Sequence, residues 1–142
     1  MIVLDTNVLS ELMRPEPAGA VPDWIDAQAD DDLFISAITM TEILHGIARL
    51  PGGRRKDGLH AQAMAMFEED FADHILPFDA QAAQHYARLV AAREASGKPI
   101  ALADAQMAAT CHEQKAGLAT RNVKDFVDTG VSIINPWSGM TA

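Results

Sequence analysis

The sequence predicts an α/β fold: a mainly parallel central sheet of four to five strands with helices on both faces. Three observations carry this. Short apolar runs of strand length alternate with longer segments of helical periodicity, so that strands are separated by crossovers, which are right-handed in such sheets. The first run, Ile2-Val3-Leu4, is apolar at every position, as suits a strand covered on both sides. The breaks between segments are made by Asp, Asn, Pro and Gly, the residues of turns and caps. With 142 residues, 49% of them hydrophobic, the chain has enough apolar surface for one domain spanning 1–142, burying roughly 70% of the area its unfolded form exposes.

The first strand ends in Asp5, and Thr6 or Asn7 is placed to cap the helix that follows. Residues 8–14 put Val8, Leu9, Leu12 and Met13 on one stripe, stopped by Pro15 and Pro17. Residues 22–28 form a short helix around Trp24 and Ile25, with Pro22 tolerable in its first turn. Leu33-Phe34-Ile35 is the second strand. Residues 39–50 carry Met40, Ile43, Leu44, Ile47 and Leu50 at helical spacing before Pro51-Gly52-Gly53, and the pattern resumes over 59–71. Ile75-Leu76-Pro77-Phe78 makes a short third strand, with Pro77 arguing for an edge or strand-end position. Asp79 caps a long helix that ends at Ser96-Gly97-Lys98-Pro99. Residues 100–115 form another helix, with Gly117 as its expected cap. Leu118-Ala119-Thr120 is the fourth strand, 122–128 a turn or short helix, and 131–134 a last strand, after which Asn135-Pro136-Trp137 leads out of the domain.

The formal net charge of −9 disfavours a general nucleic-acid backbone binder, which needs Lys and Arg to neutralise phosphates. Asp30-Asp31-Asp32 and Glu68-Glu69-Asp70 read as solvated runs, and Arg54-Arg55-Lys56 as a local basic cluster. Cys111 is the only cysteine, so neither an intrachain disulfide nor a cysteine-rich zinc site is possible. No apolar run approaches the roughly 20 residues of a membrane span and no leader opens the chain, which together predict a cytoplasmic protein.

Four acids stand out. Asp5 follows the first strand, at the sheet rim where ligands of open α/β folds bind, though an Asp there also serves as a turn former. Glu42 lies early in the helix after the second strand, on the same rim, yet Thr39-Met40-Thr41-Glu42 also fits a capping box. Asp104 shares a helix face with Ala101, Met107, Ala108 and Cys111, where an ionised carboxylate needs a cation, a metal or a proton. Asp125 follows the fourth strand in Thr120-Arg121-Asn122-Val123-Lys124-Asp125, where Asn122 offers a neutral oxygen or a plain cap. Carboxylates gathered in a dry crevice call for a divalent ion. Oxygen ligands without a cysteine cluster or paired histidines favour Mg²⁺ or Mn²⁺ over Zn²⁺. His45, His60, His74, His85 and His112 are scattered and read as surface or satisfied core.

Four blocks in order carry a family resemblance over essentially the whole chain: Met-Ile-Val-Leu-Asp-Thr-Asn-Val-Leu-Ser-Glu-Leu at 1–12, Ser-Ala-Ile-Thr-Met-Thr-Glu-Ile-Leu-His-Gly-Ile at 36–47, Ala-Leu-Ala-Asp-Ala-Gln-Met-Ala-Ala-Thr at 101–110, and Ala-Thr-Arg-Asn-Val-Lys-Asp-Phe at 119–126. The chain resembles PIN-domain ribonucleases of the VapC toxin family, in their FitB-like branch. The resemblance implies a three-layer α/β/α domain, Mg²⁺-dependent cleavage of RNA phosphodiesters, and metal-binding acids at Asp5, Glu42 and Asp104, with Asp125 assisting. Asn122 stands where many relatives carry a further acid, which leaves one or two metals open. Thr6, Asn7, Thr120 and Asn122 would support the acids from behind. Arg14, Arg49, Arg54, Arg55, Lys56 and Arg121 would guide RNA. The family also implies a VapB-like antitoxin partner, a homodimer, and a hetero-oligomer with the antitoxin. Exposed faces of the 8–14 and 39–50 helices offer docking surfaces for it. Two other readings remain: a catalytically weak relative kept for partner binding, and a phosphoacceptor signalling domain, which fits less well because only Asp5 stands at the first strand and Asp79 opens a helix.

Overall fold

The computed structural model describes residues 1–138 and the backbone of 140–141. Six strands form one sheet: β1 (Ile2–Leu4), β2 (Leu33–Ser36), β3 (Ile75–Leu76), β4 (Gly117–Ala119), β5 (Ile133–Asn135) and β6 (Met140–Thr141). Their order is β3-β2-β1-β4-β5-β6, the first five parallel and β6 antiparallel to β5. The expected count of four to five strands holds for the parallel part. The expectation that 135–137 leads out of the domain does not: Asn135 Oδ1 accepts a hydrogen bond from the Trp137 amide at 2.9 Å, the chain turns, and β6 adds to the sheet. β3 is an edge strand, and Pro77 follows it directly, where its missing N–H removes no ladder bond.

Alternation along the strands builds the three layers. Leu4, Leu33, Ile35 and Ala119 face a core completed by α1 (Thr6–Leu12), α2 (Ala20–Asp26), α3 (Ala37–Ala48) and α4 (Arg54–Ala65). Val3, Phe34, Leu118 and Ile133 face a second core closed by α5 (Ala80–Ala95) and α6 (Leu102–Gln114). α1 begins just after Asp5, which caps it by accepting from the Thr6 amide at 2.7 Å, so the capping role expected of Thr6 or Asn7 belongs to the acid itself. Ser36 caps α3 through the Thr39 amide at 3.2 Å. That displaces the expected capping box, because the helix starts at Ala37 and puts Glu42 in its second turn. α4 starts at Arg54, earlier than the apolar pattern indicates, and passes into a π-helical turn, Met66–Asp70. Asp79 caps α5 as expected, at 2.9 Å from the Ala82 amide. α6 ends on Lys115 in the left-handed region rather than on Gly117, which is already in β4. None of the described helices is long and apolar enough to cross a membrane.

Gly130 is one glycine the fold cannot replace. Its φ is +78°, and a Cβ there would lie 2.9 Å from the His112 ring, which hydrogen-bonds the Thr129 carbonyl and stacks on His85. Gly130→Ala is expected to destabilise by about 2 kcal/mol, from backbone strain and the displaced imidazole together. Thermal unfolding should fall by roughly 5 °C; an unchanged midpoint would contradict this packing.

Candidate active site

The chain visits β1, β2 and β3 in one direction, then crosses to β4 and β5 on the other side of β1. The segments that follow the adjacent strands β1 and β4 therefore leave toward opposite faces of the sheet, the place where open α/β sheets form a crevice. Asp5 and Thr120 flank it. The Asp5 amide continues the ladder to the Ala119 carbonyl at 2.9 Å, and the Thr120 hydroxyl donates to Asp5 Oδ2 at 2.7 Å. Asn7 Nδ2 adds a bond to the same oxygen at 3.2 Å, while Asn7 Oδ1 accepts from the Arg121 amide at 3.2 Å. The Asn122 amide donates to the Thr120 hydroxyl at 3.0 Å. The loop after β4 is thus tied to the tip of β1, and Asp5 is oriented through both carboxylate oxygens.

The crevice, about 540 Å³, is lined by Asp5, Thr6, Asn7, Ser10, Glu11, Arg14, Glu42, Asp104, Arg121, Asn122 and Trp137. Three of the four expected acids share it. Glu42 reaches in from α3 and accepts from the Thr6 hydroxyl at 2.6 Å, with the Thr39 hydroxyl 3.2 Å from Thr6 Oγ1. Asp104 enters from the first turn of α6. Among the described residues it forms no ion pair and its carboxylate accepts no hydrogen bond. Burial pushes its pKa up to about 6, with Asp5, Asp125 and Glu42 adding repulsion and Arg93 opposing it. Asp5 is also raised, by burial first and by Glu42, against the Thr120 and Thr6 hydrogen bonds. Burial, then Asp5, pushes the Cys111 thiol up to about 12, an inert core group.

Asp125 sits on the short 3-10 turn Val123–Phe126, off the crevice lining but close enough for its charge to reach Asp104. Asn122 precedes that turn without a side-chain capping bond, so the plain-cap reading of its amide does not hold. The basic residues divide. Arg14 and Arg121 line the crevice. Arg54 and Arg55 line an adjoining apolar groove of about 670 Å³ between α1, α3 and α4, which shares Thr6, Ser10, Arg14 and Glu42 with the crevice. Lys56 donates to the Ala48 carbonyl at 3.0 Å and caps the end of α3 instead. Asp79, after β3, caps α5, which agrees with its expected helix-opening role and not with a phosphoacceptor.

Sequence reasoning missed three residues. Glu11 is buried, accepts from the Ala18 amide at 3.1 Å and pairs with Arg14 at 3.1 Å, and its pKa is lowered chiefly by that amide. Its signal was present: a carboxylate in the first block, two turns beyond Asp5. Trp137 lay beyond what was read as the end of the domain. Arg93, only 5% exposed, donates to the carbonyls of Lys98 (2.6 Å), Asp125 (3.1 Å) and Val127 (2.8 Å). Nothing local in the sequence marks it, because its partners are backbone groups of distant segments.

Among the described residues no three carboxylate, imidazole or thiol groups converge into a ready-made metal cage. Mg²⁺ does not require one, since it commonly takes one or two carboxylates and keeps several waters. Asp5 and Asp104 suit that mode. Both are oxygen donors, both are held above their ordinary pKa, and Asp104 has its coordination capacity unspent.

Comparison with known proteins agrees with this architecture. The PIN domain family matches residues 2–131. A VapC ribonuclease, Y4jK of Sinorhizobium fredii, is 44% identical over 96% of this chain and 98% of its own length. Toxin FitB of Neisseria gonorrhoeae is 40% identical over 96% of this chain and 99% of its own. The crystal structure of FitAcB from Neisseria gonorrhoeae superposes with a TM-score of 0.91 at 40% identity, covering 96% of this chain and 99% of that one. With its fold and these similarities in agreement, the chain belongs to the PIN-domain family, in the branch of the VapC and FitB toxins.

Proposed function

We propose that the protein is a divalent-cation-dependent endoribonuclease, the toxin of a toxin–antitoxin pair, acting on single-stranded or looped RNA. The observation that carries this is Asp104: a half-buried carboxylate with no hydrogen bond among the described residues, held in the same crevice as Asp5 and Glu42. A carboxylate kept in that state is unfavourable to the fold and useful to a cation. The VapC ribonuclease at 44% identity supports the same reading.

Asp5 and Asp104 would hold the ion, Mg²⁺ with Mn²⁺ as a substitute. When bound, it supplies a water of lowered pKa and positive charge against the phosphodiester. Thr120 and Asn7 fix the Asp5 carboxylate, and Thr6 fixes Glu42, whose free oxygen can accept a proton at the rim. Arg121 and Arg14 bring positive charge to phosphates, which offsets locally the acidic balance of the chain. Asp125 acts on Asp104 through its field. A VapB-like antitoxin docks in the groove between α1, α3 and α4, where Met13, Ile43, Ile47 and Leu59 offer apolar anchoring beside Arg54 and Arg55.

Total RNA incubated with Mg²⁺ should yield discrete new 5′ ends, lost on adding EDTA and absent with Asp5→Asn. Cleavage at wild-type rate by folded Asp5→Asn protein, free of contaminating nuclease, would sink the proposal. A protein without activity that instead takes phosphate from a small phosphodonor would favour the signalling reading.

A further inference from the structure

Beside the acids the crevice carries a feature that metal-assisted hydrolysis does not use. The Arg121 guanidinium lies over the Trp137 ring, 5.1 Å from its centroid. Arg121 is exposed, and both residues line the crevice together with Asp5 and Asp104. The position is built. The Arg121 amide is bonded to Asn7, whose side chain also holds Asp5, so two hydrogen bonds separate the arginine from the central carboxylate. On the other side Asn135 fixes the Trp137 amide at 2.9 Å.

The choice of tryptophan is informative. Its indole Nε1 is buried with no hydrogen-bond partner among the described residues, a penalty that a phenylalanine filling the same corner would not carry. What tryptophan adds is a wide π face under the cation. Glu11, whose charge is felt by Arg121, is already bonded to Ala18 and Arg14, so the guanidinium is not locked into a salt bridge.

We propose that Arg121 and Trp137 form a stacking shelf for one unpaired nucleobase next to the scissile phosphate. The outer face of the guanidinium, backed by the indole, receives the base, while its N–H edges remain available to the phosphate. This rests on the ribonuclease reading and deepens it: the shelf selects RNA whose base is free to leave a helix, and tolerates any base because each has a π face.

The test uses the full chain carrying Trp24→Phe, so that Trp137 is the only tryptophan and is excited selectively over Tyr86, with Mg²⁺ and a non-cleavable 2′-O-methyl RNA oligomer. The oligomer is expected to quench Trp137 saturably, and an abasic oligomer of equal length and charge to bind roughly tenfold more weakly without quenching. Arg121→Lys keeps the charge and loses the planar stack, and should weaken the base-containing oligomer about tenfold and the abasic one, which meets only the charge, far less. Equal affinity and equal quenching by the two oligomers, or an Arg121→Lys protein that binds both as wild type does, overturns the shelf. Cleavage of total RNA is measured in parallel. Cleavage with a silent Trp137 removes the shelf and leaves the ribonuclease; silence in both removes both.

Discussion

Asp104→Asn protein is expected to fold, to lose at least about a thousandfold in RNA cleavage, and to be more stable than wild type when no metal is present. The first effect follows if Asp104 is one of the two carboxylates of the proposed cation site, where the ion's electrostatic contribution is several kcal/mol, with each 1.36 kcal/mol worth about tenfold in rate. The second follows from the sign of the pKa shift. Folding raises the Asp104 pKa from 3.8 to about 6, so the folded chain takes up a proton that the unfolded chain has released. The stability this group contributes is complete below pH 3.8 and is lost as pH rises through about 6. Asparagine carries no such slope. Metal-free thermal unfolding of wild type and variant should therefore diverge across that window, the variant melting higher at pH 7.5. The same proton competes with the ion, so more metal should be needed for half-maximal cleavage as pH falls through about 6. A variant that melts lower than wild type at pH 7.5 without metal would mean that Asp104 has a structural partner.

Arg93→Met is expected to cost about 3 to 4 kcal/mol and to lower the melting midpoint by roughly 10 °C. Methionine fills similar volume, so the loss falls on the Lys98, Asp125 and Val127 carbonyls, which one guanidinium now satisfies. These carbonyls belong to the turn after α5 and to the segment after β4, so Arg93 clamps the loop that carries Arg121, Asn122 and Asp125. Arg93→Lys should recover only part of the loss, because an ammonium cannot match a planar fork that reaches three carbonyls. A midpoint within 2 °C of wild type for Arg93→Met, about 1 kcal/mol at most, would show that water replaces the clamp without penalty.

Much of this was legible because the informative signals are local. The apolar run before Asp5, the helical spacing of Ile43 and Ile47, and the small face around Asp104 each report burial within one element, and strand adjacency then brings their ends together. Caps were harder to read. Ser36 and Thr39 both suit a helix start, and the choice depends on where β2 stops. The chain after Ile134 was misread because Asn-Pro is a turn signal whether the chain leaves or doubles back, and only pairing with β5 decides. Arg93 and the Arg121–Trp137 contact depend on segments distant in sequence, which no period within one element records.

The claim that Asp5 and Asp104 make a cation site is tested most directly by titrating the metal-free protein with Mn²⁺ and reading free ion by electron paramagnetic resonance at pH 7.5. Saturable binding by wild type, lost in both Asp5→Asn and Asp104→Asn and weakened at pH 5, is the predicted result. Wild-type protein that binds no Mn²⁺, or variants that bind it unchanged, would contradict it.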